Sequence, residues 1–121
     1  MKYIRIYADE GGESHFSDNN IKLELSDFAP PAPPIELSGY YPASRCVFTV
    51  FPVGWYGDWH PTPERQIFIC FQGILEVTVS DGEKRMVSQG CIVFVEDTEG
   101  KGHITKVVSE VEVRAAVIQL Q

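Results

Sequence analysis

Short runs of alternating apolar and polar residues extend along most of the chain. In Lys2–Ala8, Ile4 and Ile6 share one face of an extended strand, and Tyr3 and Arg5 share the other. No segment shows helical periodicity, and Gly and Pro interrupt the segments whose composition would suit a helix. The pattern predicts nine strands, at Lys2–Ala8, Ile21–Leu25, Cys46–Val53, Gln66–Phe71, Ile74–Ser80, Arg85–Val87, Cys91–Glu96, His103–Val108 and Val111–Leu120.

Turn residues between these runs indicate how the strands connect. Asp81-Gly82 is typical of a tight hairpin, and Gln72-Gly73 predicts another short turn. Strands so close in sequence are expected to pair antiparallel, and eight or nine of them favour a closed barrel or double sheet. The prolines of residues 29–34 predict an extended connector outside any sheet. We therefore expect one all-β domain over residues 1–121.

Composition narrows the range of partners. The chain has 121 residues, 44% of them hydrophobic and 22% charged, with a formal net charge of −7. That charge repels phosphate backbones and anionic lipid, so we expect neither a nucleic-acid nor a membrane partner. The first residues lack the apolar stretch of a secretory signal, so we expect none, and no run approaches the roughly 18–20 apolar residues of a membrane span. A cytoplasmic location is the corresponding expectation.

The three cysteines have no metal-binding or redox spacing. Cys46, Cys70 and Cys91 are widely separated and lie among Val, Ile and Phe. We expect all three to be buried as small apolar side chains. The alternative is a thiol in a binding pocket, for which Cys70 is the best placed of the three.

The most informative segment runs from Gly54 to Gly73. Gly54 is followed by five residues and His60, and then by Thr62, Gln66 and Gly73. Positions 60, 62 and 66 have the same parity, so in a continuous strand they would face one side, which in a barrel can be the interior.

A second segment carries another histidine after a glycine. Gly90 begins a strand, Glu96 ends it, and His103 follows a loop that contains Gly100-Lys101-Gly102. Together the two segments resemble the paired motifs of the cupin superfamily, G-x5-H-x-H-x3,4-E-x6-G and G-x5-P-x-G-x2-H-x3-N. Thr62 stands at the second His position and Gln66 at the Glu position. In the second motif Glu96 replaces Pro, Val107 replaces Asn, and the loop before the histidine is two residues longer.

The resemblance implies a jelly-roll β-barrel, and in typical cupins three His and one Glu hold a divalent metal. Here the surviving set is His60, Gln66 and His103, which with water could hold Fe, Mn, Ni or Zn. A hydroxyl such as that of Thr62 is a poor ligand for these metals, and the neutral amide of Gln66 is weaker than a carboxylate. We therefore favour a pocket without a tightly held metal, in which Thr62 and Gln66 hydrogen-bond an organic ligand.

Further residues near the motifs are candidates for ligand contact. Trp59 is a candidate for stacking on a ligand ring, although packing in the core or a dimer explains the nearby aromatic residues equally well. Lys101, between two glycines, is a candidate for contact with an anionic group, and turn chemistry is its alternative. Glu64 is expected at a solvated hairpin tip, and His15 on the surface between strands.

Three functional hypotheses follow. The first is a binding module for a small organic molecule, anionic or sugar-like. The second is a metal-dependent dioxygenase, isomerase or lyase that uses His60, His103 and either Gln66 or Glu64. The third is a regulatory partner protein with a vestigial pocket. No catalytic residue can be assigned, and the fold alone implies no chemistry. We expect a homodimer, because the resemblance implies pairing through N-terminal strands and sheet faces, and because Lys2–Ala8 would otherwise be an exposed sheet edge.

Overall fold

The computed structural model describes residues 1–121 and contains twelve strands and no helix. Each of the nine predicted runs overlaps one of these strands. The strands are β1 Lys2–Ala8, β2 Ser14–Asn20, β3 Glu24–Ser26, β4 Ile35–Leu37, β5 Ala43–Phe51, β6 Tyr56–His60, β7 Gln66–Gln72, β8 Leu75–Val79, β9 Lys84–Val87, β10 Ile92–Val95, β11 His103–Val107 and β12 Val113–Leu120. With no helix present, none could span a membrane.

The strands form two main sheets and one small hairpin. One sheet has six strands in the order β2-β1-β10-β7-β12-β5, and the other has four in the order β6-β11-β8-β9. Strands β3 and β4 pair only with each other. All pairs are antiparallel except β1 with β10, which is parallel. The predicted all-β jelly-roll architecture is confirmed.

The core lies between the two main sheets. It is built from inward-facing side chains of both sheets, among them Ile6, Phe68, Val79 and Val113. Cys70 belongs to this core, and burial raises the pKa of its thiol. The expectation that all three cysteines are buried is wrong for Cys46, which is exposed on β5, and Cys91 is only partly buried.

One connection and the position of one strand differ from the predictions. Residues 63–65 do not form a hairpin tip, because β6 belongs to the four-stranded sheet and β7 to the six-stranded sheet. Strand β1 is not an edge either, since β2 pairs along its whole length and β10 lies on its other side. The expectation that Lys2–Ala8 is an exposed sheet edge is therefore wrong, and a homodimer stays a prediction. Residues 29–34 do lie outside any sheet, as an exposed loop between β3 and β4, and Asp81-Gly82 does join β8 to β9.

Candidate functional site

A cavity of about 110 Å³ lies between the sheets. Nine of its thirteen lining residues are hydrophobic, and four are polar. The polar residues are His60, Gln66, His103 and Thr105. The lining contains no Lys, Arg, Asp or Glu, so the cavity has no side chain of fixed charge.

Strand pairing brings the two histidines together. His60 ends β6 and His103 begins β11, and the register of these antiparallel strands places the two residues opposite each other. Their ring centroids are 4.6 Å apart. Both predicted histidines therefore line one cavity, and Gln66, at the start of β7, lines it from the other sheet.

A buried carboxylate orients His103. The Nδ1 atom of His103 lies 2.6 Å from Oδ2 of Asp97, which is fully buried. Because a carboxylate accepts hydrogen bonds, this contact places the proton of a neutral imidazole on Nδ1. The other oxygen of Asp97, Oδ1, is buried without a hydrogen-bond partner. His103 is thus the only side chain that hydrogen-bonds to the Asp97 carboxylate.

A backbone carbonyl orients His60 in the same way. Its Nδ1 lies 2.6 Å from the carbonyl oxygen of Asp58, which can only accept a hydrogen bond. When either ring is neutral, its proton is therefore on Nδ1, and Nε2 is the nitrogen that remains for a bound molecule. The arrangement supplies two neighbouring hydrogen-bond acceptors in a mostly apolar cavity.

Gly102 allows the two strands to approach each other at this point. Its φ is +73°, and a Cβ atom there would overlap the backbone carbonyl of His60. Gly100, with a φ of +82°, packs in the same way against the backbone of Gly12. The glycines on either side of Lys101 are thus explained by close backbone packing. They do not bring the Lys101 side chain to the cavity.

Lys101 forms an ion pair away from the cavity. Its Nζ lies 2.6 Å from Oε2 of Glu13, and this hydrogen bond raises the pKa of Lys101. Trp59 also lies outside the cavity and is 48% exposed, whereas Trp55 lines it and contacts Phe51 edge to face. Neither Lys101 nor Trp59 is therefore placed where the sequence analysis expected a ligand contact.

Thr62 is buried, but it does not line the cavity. Its hydroxyl donates to the carbonyl of Glu64 at 2.8 Å, and its amide donates to the carbonyl of Asp97 at 3.1 Å. The parity argument fails here because β6 ends at His60, and the chain turns before β7 begins. Thr62 thus supports the segment that carries Asp97. Glu64 is exposed and outside the cavity lining.

Glu96, which stands at the proline position of the second motif, directly follows β10. It binds one arginine of β1 and one arginine of the loop before β7. Its carboxylate accepts hydrogen bonds from Arg5 at 2.7 Å and Arg65 at 2.8 Å. Burial alone would raise the pKa of Glu96, but the two guanidinium groups outweigh it and the pKa is lowered. The neighbouring Asp97 was missed by the sequence analysis. The available signal was an acidic residue directly after an apolar strand, six positions before His103.

Comparison with known proteins identifies the fold. No protein-family model and no curated protein sequence matches the chain. The cupin domain of Cnp3 from Schizosaccharomyces pombe aligns with it at a TM-score of 0.50 and 15% sequence identity, over 89% of this chain and 73% of that one. Identity this low establishes the fold alone. The chain has the cupin fold that its two motifs predict.

Proposed function

We propose that this protein binds a small, mostly apolar, neutral molecule whose hydroxyl or N–H group hydrogen-bonds to His60 and His103. The observation that carries the proposal is the fixed orientation of both rings, each with Nδ1 bound to an acceptor. Two adjacent Nε2 acceptors cannot satisfy each other, because neither carries a proton in the neutral form. A ligand that donates a hydrogen bond would satisfy at least one of them.

The cavity sets the size and polarity of the ligand. Its volume of about 110 Å³ is somewhat below the ~150 Å³ of an apolar cavity that takes benzene. Because benzene has six non-hydrogen atoms, a molecule of about four or five non-hydrogen atoms, one of them polar, suits the smaller cavity by that measure. Because no charged side chain lines the cavity and Lys101 is paired with Glu13, a neutral ligand is favoured over an anionic one.

Cyclobutanol and cyclobutanone form a matched pair of probes. They have nearly the same size, but only the alcohol can donate a hydrogen bond. We expect cyclobutanol to bind about fivefold to tenfold more tightly, the equivalent of one net hydrogen bond of ~1 kcal/mol. Nitrogen-15 NMR of the imidazoles, titrated with each probe, measures both the affinity and the protonation of Nε2.

Histidine variants locate the binding. His60→Ala and His103→Ala should weaken cyclobutanol binding, and His15→Ala, which changes a distant histidine, should not. Equal affinity for the two probes would show that the hydrogen-bond argument is wrong. If neither probe perturbs the cavity residues, the assignment of the cavity as a binding site is wrong.

The second candidate is a metal-dependent enzyme, favoured by one observation. A histidine whose Nδ1–H is held by a carboxylate is a common outer-shell arrangement around metals, and the Asp97–His103 contact matches it. His60, His103 and Gln66 would be the ligands, and a bound metal would act as a Lewis acid. However, no third His, Cys, Asp or Glu joins the histidines as a potential ligand. The donor set does not fit a tightly held metal, and we derive no reaction through one.

Elemental analysis distinguishes the metal-free binding protein from the metal-dependent enzyme. Elemental analysis of untagged protein, before and after a chelator, should show less than stoichiometric Fe, Mn, Ni and Zn if the metal-free proposal holds. Stoichiometric metal that is lost in both His60→Ala and His103→Ala would instead establish the metal-dependent candidate.

A further inference from the structure

We infer that the molecule bound in the cavity is a small aliphatic amide, whose N–H group donates to the histidines and whose carbonyl accepts a hydrogen bond from the hydroxyl of Thr105. The inference rests on the proposed binding at His60 and His103, and it adds a hydrogen-bond acceptor to the ligand described there. Thr105 is then the residue that distinguishes an amide from an alcohol of similar size.

Thr105 differs from the other buried hydroxyl residues in its hydrogen bonding. Three buried residues carry a hydroxyl group. The hydroxyl of Ser14 donates to the carbonyl of Gly102 at 2.6 Å, and that of Thr62 donates to the carbonyl of Glu64 at 2.8 Å. Thr105 is only 8% exposed and lines the cavity, but its hydroxyl has no hydrogen-bond partner within the protein. Because buried polar groups are nearly always paired, this hydroxyl indicates a partner that a bound molecule supplies.

The polar side chains of the cavity differ in what they offer a ligand. A neutral imidazole whose proton is on Nδ1 can only accept at Nε2, whereas the hydroxyl of Thr105 can donate. Gln66, on the facing sheet, has an amide that both donates and accepts, so it does not by itself determine the polarity of the ligand. The four-stranded sheet therefore presents acceptors at His60 and His103 and a donor at Thr105.

The spacing along β11 favours a ligand whose donor and acceptor are different atoms. His103 and Thr105 belong to a stretch that pairs with β8 without interruption, so they share one face and lie about 6.8 Å apart. Side chains on one face of a strand stand roughly perpendicular to the sheet, so their polar atoms have a similar separation.

An amide spans this separation and a single hydroxyl does not. The nitrogen and oxygen of an amide are about 2.3 Å apart, and two hydrogen bonds of ~2.9 Å extend the reach to about 8 Å. A bent arrangement of these bonds fits the distance between His103 and Thr105. One hydroxyl oxygen that forms both hydrogen bonds reaches at most about 5.8 Å.

The cavity wall next to Thr105 suits a planar group. Gly57 is opposite Thr105 on β6, and the ring of Trp55 occupies the space that a side chain at position 57 would fill. A Cβ atom on Gly57 would lie 2.5 Å from Cη2 of Trp55 and 3.3 Å from Cε1 of His60. Trp55 itself lines the cavity. Because a flat ring makes most of its dispersion contacts with a flat partner, Trp55 favours the same class of ligand as Thr105.

The experiment compares propionamide with butan-2-ol, which has the same number of non-hydrogen atoms and the same branching. Thr105→Val removes the hydroxyl and keeps the shape of the side chain. It should raise the dissociation constant of propionamide about fivefold to tenfold, the equivalent of one net hydrogen bond of ~1 kcal/mol. The dissociation constant of butan-2-ol should not change. NMR titration of the imidazole signals measures both probes.

Thr78→Val is the matched control. Thr78 lies on β8, the neighbour of β11, and alternates with the buried Val77 and Val79, so it faces away from the cavity. The same substitution there should leave the affinity for both probes unchanged. Urea denaturation adds a second measurement. Thr105→Val should not lower the midpoint of unfolding, because the hydroxyl that it removes has no partner in the free protein.

The outcomes separate this inference from the proposed function. Binding of cyclobutanol without binding of propionamide would overturn the amide class alone, and binding of neither would remove the proposed function as well. Unchanged propionamide affinity in Thr105→Val, together with weaker binding in His103→Ala, would show that Thr105 is not the donor. Equal weakening of propionamide and butan-2-ol in Thr105→Val, or a lower midpoint of unfolding, would show that Thr105 only maintains the shape of the cavity.

Discussion

Two histidines of this protein bind carboxylates, and they do so in opposite surroundings. His103 contacts Asp97 at 2.6 Å, and both side chains are buried at the end of the cavity. His15 lies between Asp9 and Asp81, at 2.8 Å from each, where all three side chains are partly exposed to water. Both are short contacts between an imidazole and a carboxylate, but they differ in the free energy that is lost when they are broken.

The exposed cluster connects two turns. Asp9 lies in the turn between β1 and β2, and Asp81 in the turn between β8 and β9, so His15 joins the two sheets at their ends. Its hydrogen bonds to Asp9 and Asp81 raise the pKa of His15, and its hydrogen bond lowers the pKa of Asp9. Water screens such pairs, so the cluster is a minor contributor to stability.

The buried pair has no water to replace a lost partner. One oxygen of Asp97 already lacks a hydrogen bond, and the other has only His103. Removal of either partner leaves a buried polar group uncompensated, which is more costly than loss of an exposed pair. The difference teaches that burial determines which imidazole–carboxylate contact is costly to lose.

The largest predicted effect comes from the backbone that holds the buried pair. Gly102→Ala would place a Cβ against the carbonyl of His60 in a left-handed conformation. We expect a loss of about 3 kcal/mol or more in the free energy of unfolding. Urea denaturation measures it, and the imidazole NMR signals of His60 and His103 should also shift.

Gly82→Ala is the matched control for Gly102→Ala. Gly82 has a φ of +98°, but a Cβ there meets nothing within 4 Å. It should cost about 1–2 kcal/mol from backbone strain alone. Equal losses in the two variants would show that the approach of Gly102 to His60 contributes nothing.

The next largest effect tests the carboxylates themselves. Asp97→Ala should lower the free energy of unfolding by about 3 kcal/mol, because it leaves the Nδ1–H of His103 buried without a partner. Asp81→Ala removes the corresponding carboxylate from His15 and should cost clearly less, since water replaces it. Urea denaturation at neutral pH compares them, and similar losses would contradict the role given to burial.

The sequence alone predicted the strands whose side chains alternate and the convergence of His60 and His103. Alternation is visible because it reflects burial of one face. Strand β2, in contrast, has the polar sequence SHFSDNN and is a strand only because it pairs along β1. Its histidine, expected to lie between strands on the surface, is on a strand and binds two carboxylates.

Local sequence patterns are also insufficient to locate the residues of the candidate site. Parity along a strand holds only while the strand continues, and Thr62 lies after β6 has ended. Burial of Asp97 depends on how its loop packs against the Thr62 segment, which no local pattern shows. Lys101 was expected near a ligand because glycines flank it, but those glycines serve contacts with Gly12 and His60.

The smallest predicted effect is a pH dependence at the exposed cluster. Because the pKa of His15 is raised from 6.5 by Asp9 and Asp81, its contribution to stability is fully present below about pH 6.5 and is lost as pH rises through the raised pKa. His15→Gln removes the charge but keeps a hydrogen-bonding group. The difference in unfolding free energy between wild type and His15→Gln should therefore be larger at about pH 5.5 than at about pH 8.5.

Lys101→Gln is the control for the pH experiment, because it removes an exposed cation that stays charged across this interval. The pKa of Lys101 is raised from 10.5, so its contribution should be nearly constant between about pH 5.5 and 8.5. Urea denaturation at both pH values compares the two variants. If the His15→Gln difference grew as pH rose, the cluster would favour the neutral imidazole. The direction assigned to the pKa of the exposed histidine would then be wrong, and the pH dependence expected of the cluster would fail with it.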